Sequence, residues 1–391
     1  MRNVVAGGAG LGVAANTTMA AADESAKPLD KVPRRKLGKS GLEVPVILMG
    51  CCQQLDPKYD KRLHRAYQLG VDHLDSAQMY AEGQSHATIV PFIEQVGGRD
   101  KLQIASKWHC DDKTATPEQY AAGLDQCLEE LKTDYLDIFY LHFIRDPRLL
   151  EPEFIKMGQA AKKAGKTKLF GISCHHGNVP ELMQKAAKIG TAGIDVVMFR
   201  YNFRQYGDLE LNKAIDACVD AGIGLLAIKT LAAIPDDAEE IVPWTSKDFT
   251  LPQAKIRAVL EDERIAALAS QMANVEQVME NTAAVLSPKS LAMRDFVQLN
   301  RLAALTADQY CAACTRCEEC IDADVPVADI FRHLMYSESY GEHETARKFY
   351  AALTAEQRRI EGIDFQRASA GCPQGIDIAA RLQKAREVLS T

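Results

Sequence analysis

Between Val44 and Ala269, short apolar or β-branched runs recur eight times, with amphipathic stretches of helical period between them. That alternation restricts the chain to parallel strands joined by crossover helices. The strand runs are Val44–Met49, Asp72–Ser76, Leu102–Ser106, Leu136–Leu141, Lys168–Ser173, Val196–Tyr201, Gly224–Lys229 and Arg264–Ala269. Helical patterns fall over Tyr59–Leu69, Pro117–Leu131, Pro152–Ala164, Pro180–Ile189, Leu209–Ala221 and Val275–Leu286. Eight such units, joined with right-handed crossovers, close into a (β/α)8 TIM barrel. The competing open doubly wound sheet lacks a G-x-G-x-x-G after its first strand. The longest connection, Leu231 to Glu263, carries Pro235, Pro243, Trp244 and a run of acids, and predicts a lid or loop over the barrel mouth. Beyond Ser287 the strand pattern stops, and the Ala, Arg and Glu-rich remainder predicts a mostly helical appendage. The chain divides into an export signal and linker (1–32), a barrel (33–290) and the appendage (291–391).

A net charge of −7 and the absence of lysine or arginine runs exclude a nucleic-acid surface. Past the N-terminus, no stretch is apolar enough to span a membrane. The segment Asn3 to Ala22 is uncharged, follows Arg2 and ends at Ala20-Ala21-Ala22 before Asp23. It reads as the weakly hydrophobic signal of a protein exported already folded, with the twin arginine missing, or as a disordered tail. The first reading places the protein in the periplasm and the second in the cytoplasm.

Barrel chemistry sits at the C-terminal ends of the strands. Those ends read Cys51-Cys52, Asp75 with Tyr80 following, Lys107-Trp108-His109, His142, Ser173-Cys174, Tyr201-Asn202 and Lys229. Asp75, Tyr80, Lys107 and His142 make a chemical unit. A free phenol titrates near ~10, a nearby ammonium stabilises its anion, and a carboxylate holds the ammonium in place. A histidine beside the phenol orients a substrate carbonyl oxygen. Taken singly, Asp75 is a strand-end cap, Lys107 a solvated end and His142 a satisfied core histidine; their coincidence at three consecutive strand ends favours a site. Trp108, His109 and Tyr201 are expected to line a substrate pocket. Cys51, Cys52 and Cys174 are expected at the mouth as small hydrophobes, and His175-His176 is assigned no chemical role.

The opening R-K-L-G-K-S-G-L-E-V-P, the D-S-A-x-x-Y of Asp75 to Tyr80, the Lys107 strand end and the Y-L-D-I-F-Y-L-H ending at His142 together resemble the aldo-keto reductase superfamily, from Arg34 to about Asn281. The resemblance implies Tyr80 as general acid, Lys107 and Asp75 as its tuning pair, His142 as carbonyl orienter, and hydride from NADP or NAD lying across the mouth. It places the cofactor against Ser173, Cys174, Met198, Tyr201, Lys229, Gln271, Gln277, Glu280 and Asn281. Cys174 and Met198 stand where the family carries Asn and often Gln, which weakens the carboxamide grip. Gln271 and Gln277 stand where NADP-dependent members often carry cations for the 2′-phosphate, so NAD is a live alternative.

Four cysteines at three-residue steps, Cys311, Cys314, Cys317 and Cys320, are a ligand signal. With D-I-F-R-H-L-M-Y-S-E-S-Y-G and C-P-Q-G-I-D-I, the run is similar to the C-terminal ferredoxin-like extension of a branch of the reductases. That resemblance implies one four-iron four-sulfur cluster on Cys311, Cys314, Cys317 and Cys372, since Gly362, Phe365 and Ala368 occupy the second run's cysteine positions. Cys320 is the alternative fourth ligand, zinc the alternative metal, and loss of all metal a third outcome. The expected function is hydride transfer between a nicotinamide cofactor and a small carbonyl or alcohol, with a redox protein as a further partner. The rival is a barrel kept as a cluster-bearing relay or binding module without hydride chemistry.

Overall fold

The computed structural model describes residues 29–390. The export-signal reading over Arg2 to Ala22 lies outside the described residues. The chain enters through a hairpin of β1 (Arg34–Lys36) and β2 (Glu43–Pro45), paired antiparallel with Arg35 opposite Val44. The predicted run Val44–Met49 is therefore two strands, because Pro45 ends the hairpin and the barrel begins only at β3 (Ile47–Gly50). Leu37 and Val44 plug the bottom of the barrel beside Leu48, Ile138 and Leu226. Gly38, at φ 56°, lets the hairpin turn press on the next layer, where a Cβ would sit 2.4 Å from the Gly222 carbonyl oxygen.

Helix α1 (Lys61–Gln68) is capped by Asp60, whose carboxylate accepts from the Arg62 and Leu63 amides. It leads to β4 (His73–Asp75). Next come α2 (Ser85–Gln95) and β5 (Gln103–Trp108). The sequence reading passed over α2 because Pro91 interrupts its pattern, yet Ile89, Phe92 and Ile93 bury one face against the barrel. α3 (Pro117–Glu130) starts on a Thr116–Gln119 capping box and is followed by β6 (Leu136–Leu141). Three more units follow: α4 (Pro152–Lys163) with β7 (Thr167–Cys174), α5 (Val179–Ile189) with β8 (Val196–Arg200), and α6 (Leu209–Asp220) with β9 (Gly224–Ile228). The long connection holds α7 (Asp236–Glu239) and α8 (Leu251–Leu260) before β10 (Ala267–Gln271), and α9 (Val275–Leu286) closes the ring. All eight barrel strands pair in parallel, and β10 returns to β3 to close the barrel.

The appendage contains α10 (Met293–Leu305), α11 (Val327–Tyr340), α12 (His343–Ala351), α13 (Gln366–Ala370) and α14 (Ile378–Leu389). The last four share an apolar core of their own, including Val327, Ile330, Leu334, Tyr350, Phe365 and Leu382. Contrary to a simple lid, residues of the 231–249 stretch pack with α10 and Tyr310 into a further cluster. No helix among the described residues is long and apolar enough to cross a membrane.

Candidate active site

Side-chain parity along each strand decides what enters the barrel, because successive residues of a strand point to opposite faces. In β5, Ala105 lies in the barrel interior while Ile104 and Trp108 pack in the outer layer against the helices. A Cβ at Gly123 of α3 would meet the Trp108 ring at 2.2 Å, so Trp108 faces outward and does not line a mouth pocket. The same rule turns Cys174 of β7 and Tyr201 beyond β8 into the outer core. Cys51 packs in that layer too. Tyr201 donates from its hydroxyl to the Asp262 carboxylate at 2.7 Å.

The inward positions hold the charged groups. Lys107 is 1% exposed. Its ammonium donates to Asp75 Oδ2 at 2.8 Å and to the Ser76 carbonyl oxygen at 2.7 Å. Asp75 Oδ1 is buried with no hydrogen-bond partner among the described residues. Tyr80 follows on a tight turn, with Ala81 and Glu82 in the left-handed region at φ 50° and 55°. Its ring lies 4.7 Å from the Lys107 ammonium. The His142 ring meets it edge to face at 5.5 Å. His109 stacks on Phe143 at 4.0 Å beside them. Behind the pair, Ser76 and Ser85 share a 2.7 Å hydrogen bond and Ser85 donates to the Cys51 carbonyl oxygen at 2.8 Å.

Electrostatics set the protonation states. Burial, and then the Asp75 charge, push the Tyr80 phenol well above its ordinary range. The sequence reading expected the ammonium to draw it down. Lys107, however, is engaged by Asp75 and the Ser76 carbonyl, and burial outweighs its pull on the phenol. Burial, followed by the positive charges of Lys107 and its neighbours, holds His142 well below its usual range, so the imidazole is neutral at pH 7. Its Nδ1 has no partner among the described residues.

The remaining cofactor candidates scatter. Ser173 accepts from the Phe143 amide at 2.7 Å. Met198 lies inside the barrel among Tyr140, Leu226 and Leu48. Gln277 accepts from the Ala273 amide at 2.8 Å, Asn281 donates to Ser270 at 3.0 Å, and Glu280 accepts from the Thr250 hydroxyl at 2.9 Å. Gln271 donates to Glu342, at the turn between α11 and α12, at 3.0 Å. Lys229 lies over Tyr336 and Tyr340 of α11 at 5.4 and 6.0 Å. The appendage therefore covers part of the mouth, pinned also by Arg145–Asp329 at 2.9 Å and Lys348–Glu82 at 2.9 Å.

A profile of the aldo/keto reductase family matches residues 53–234, which span the strand ends carrying Asp75, Tyr80, Lys107 and His142. Over those residues the chain is similar to the aldo/keto reductase family. An uncharacterized oxidoreductase of Bacillus subtilis, YqkF, is 22% identical over 280 residues, covering 63% of this chain and 89% of its own length. L-galactose dehydrogenase of Arabidopsis thaliana is 24% identical over 298 residues, covering 68% of this chain and 92% of its own. Among solved structures, the aldo-keto reductase AKR11C1 from Bacillus halodurans superposes with a TM-score of 0.58 at 20% identity, covering 73% of this chain and 98% of that one. The likeness thus takes in nearly the whole of each relative and leaves a large part of this chain outside it.

To the residues expected at this barrel mouth the structure adds Arg200, Arg332, Tyr336, Tyr340 and Glu342, which the sequence reading missed. Parity would have found Arg200, two positions beyond inward Met198, but nothing local shows that α11 reaches the mouth. Lys107→Met is expected to leave the Asp75 carboxylate buried without its cation and to cost about 3–5 kcal/mol in urea unfolding. Adding Asp75→Asn should restore much of that loss, and an unchanged midpoint in the single variant would show that the pair does not hold the barrel mouth together.

Proposed function

We propose that this oxidoreductase reduces a carbonyl group, or oxidises the corresponding alcohol, with Tyr80 handling the proton and a nicotinamide nucleotide as redox partner. The observation that carries the reading is the Lys107 ammonium clamped by Asp75 and Ser76 under the Tyr80 ring, with neutral His142 at the ring's edge. Bound nicotinamide would supply or accept the hydride. A raised phenol stays protonated at neutral pH and donates to the carbonyl oxygen as negative charge gathers there. Lys107 stabilises the phenolate that remains, and a His142 N–H, free of any competing partner, orients the oxygen. The raised phenol makes Tyr80 a reluctant acid, and the charge that offsets this is the nearby ammonium.

The residues present fit a nicotinamide nucleotide at its reactive end, where Asp75 Oδ1 and His142 Nδ1 are buried without partners. Ser173 and Lys229 would hold that end, and Gln271 and Gln277 the adenosine end. A likeness to an aldo-keto reductase from Klebsiella pneumoniae solved in complex with NADPH, TM-score 0.53 at 20% identity, supports the cofactor class. Glu342, against Gln271, puts a carboxylate where a 2′-phosphate would need cations, which favours NADH over NADPH.

The cysteines support a second component. Cys311, Cys314, Cys317 and Cys372 line one pocket of about 340 Å³, including space open to solvent, and Cys320 is not among its walls. No three His, Cys, Asp or Glu side chains among the described residues group closely enough to hold a single metal ion. The likeness of the cysteine run and of C-P-Q-G-I-D-I to a ferredoxin-like extension supports one four-iron four-sulfur cluster on these four thiols, which would supply one-electron redox capacity or a structural staple. The relay reading without hydride chemistry draws on Cys174, Met198, Gln271 and Gln277, which stand where the resemblance expects a firmer grip on the nucleotide. Nucleotide binding separates the two.

Tyr80→Phe should abolish carbonyl turnover while leaving nucleotide affinity in a fluorescence titration nearly unchanged; full turnover would remove Tyr80 from its role. Wild type should bind NADH more tightly than NADPH, and Glu342→Gln should narrow the gap by about 1 kcal/mol or more. Absence of binding by either nucleotide would move the function to the relay. Iron analysis of anaerobically purified protein should show Cys372→Ser stripped of cluster and Cys320→Ser loaded, and the reverse pattern would exchange the two cysteines' roles.

A further inference from the structure

Between the barrel mouth and the appendage runs a cleft of about 730 Å³, including space open to solvent. Its walls include Arg200, Lys229, Arg332 and Arg381, and no Asp or Glu lines it. In a chain of net charge −7, four cations around one acid-free cleft are a concentrated exception. Arg381 is neutralised by Glu338 at 2.6 Å. Arg332 has only a partial claim on Asp329, 3.2 Å away, because that carboxylate also takes Arg145 at 2.9 Å. The Nε atoms of Arg200 and Arg332 are buried without hydrogen-bond partners among the described residues. Buried guanidinium N–H groups left unpaired are costly, and a ligand carboxylate or phosphate satisfies them with two oxygens.

The cleft is next to the chemistry. His142 packs on Phe143 at 4.8 Å, and Phe143 stacks at 5.8 Å on His175, which lines the cleft. Arg200 comes from the inward side of β8 and Arg332 from α11, so the charged set is complete only with the appendage seated. Met335, Phe331 and Ile234 give the same cleft apolar walls.

We propose that this cleft takes the anionic end of the carbonyl substrate, a carboxylate or phosphate ester on a partly apolar body, held by Arg200 and Arg332. The assignment rests on the reductase reading and names its substrate class. It makes Arg332 of the appendage a specificity-determining residue of the barrel's own reaction.

The test pairs 4-carboxybenzaldehyde with benzaldehyde, measuring kcat/KM with NADH and, by calorimetry, binding of each aldehyde to the full-length, anaerobically purified protein. Wild type should favour the carboxylate by about tenfold or more, mostly through KM. Arg200→Gln and Arg332→Gln should each collapse that ratio towards unity. Asp329 retains Arg145 in the second variant, and circular dichroism checks that both fold. Turnover of both aldehydes without preference overturns the proposal and leaves the reductase intact. Selective binding of the carboxylate without turnover keeps the anion site and overturns the reductase reading. If the variants weaken NADH binding and spare the aldehyde preference, the cations serve the nucleotide diphosphate and the substrate assignment fails. Binding of neither aldehyde also overturns it.

Discussion

A lysine ammonium that is 1% exposed to solvent must be matched by acceptors, and Lys107 finds a carboxylate on β4 and a backbone carbonyl just beyond it. The rest of the mouth is arranged around that requirement. Register places Asp75 opposite Ala105, two residues before Lys107 on the neighbouring strand and on the same inward parity, and the long lysine side chain spans that offset to reach the carboxylate. The turn after β4 then carries Tyr80 back over the ammonium, at the expense of two residues with positive φ. Such strain persists only where surrounding contacts enforce it. Here the cation below the ring and His142 at its edge supply them.

The second organising element is the asymmetry of the barrel's ends. The hairpin of β1 and β2 plugs the bottom with Leu37 and Val44, which leaves the top as the approach for a ligand. That top is shared. α11 lays Tyr336 and Tyr340 on Lys229, Glu342 reaches Gln271, and a Cβ at Gly177 would fall 2.4 Å from Cys314 Cα. The thiol-lined cavity and the cationic cleft share Cys311, Ala328, Phe331 and Ile376 as wall. A group held by the thiols would therefore lie one residue's thickness from the cleft.

Much of the site was legible because both of its signals are local. Strand ends are where a parallel barrel exposes chemistry, and Asp75, Lys107 and His142 stand at three consecutive ends. Parity was the neglected signal. Counting inward from Ala105, Ile138 and Leu169 selects Lys107, His142 and Ser173, and it sends Trp108 and Cys174 to the helix layer. The helix over Ser85–Gln95 was missed for a different reason. A proline inside a helix weakens the periodic pattern, while tertiary burial of Phe92 and Ile93 sustains it.

By itself the sequence determined the succession of the eight barrel strands, their closing into a barrel, and the placing of Asp75, Tyr80, Lys107 and His142 at its mouth. These depend on period, on capping and turn residues, and on contacts between adjacent strands. Only the tertiary structure decided that the phenol's pKa rises, that Gln271 faces a carboxylate, and that Arg200 and Arg332 meet across one acid-free cleft. Those outcomes depend on burial and on the docking of helices far apart in the chain, and charge and desolvation act through space rather than along the sequence.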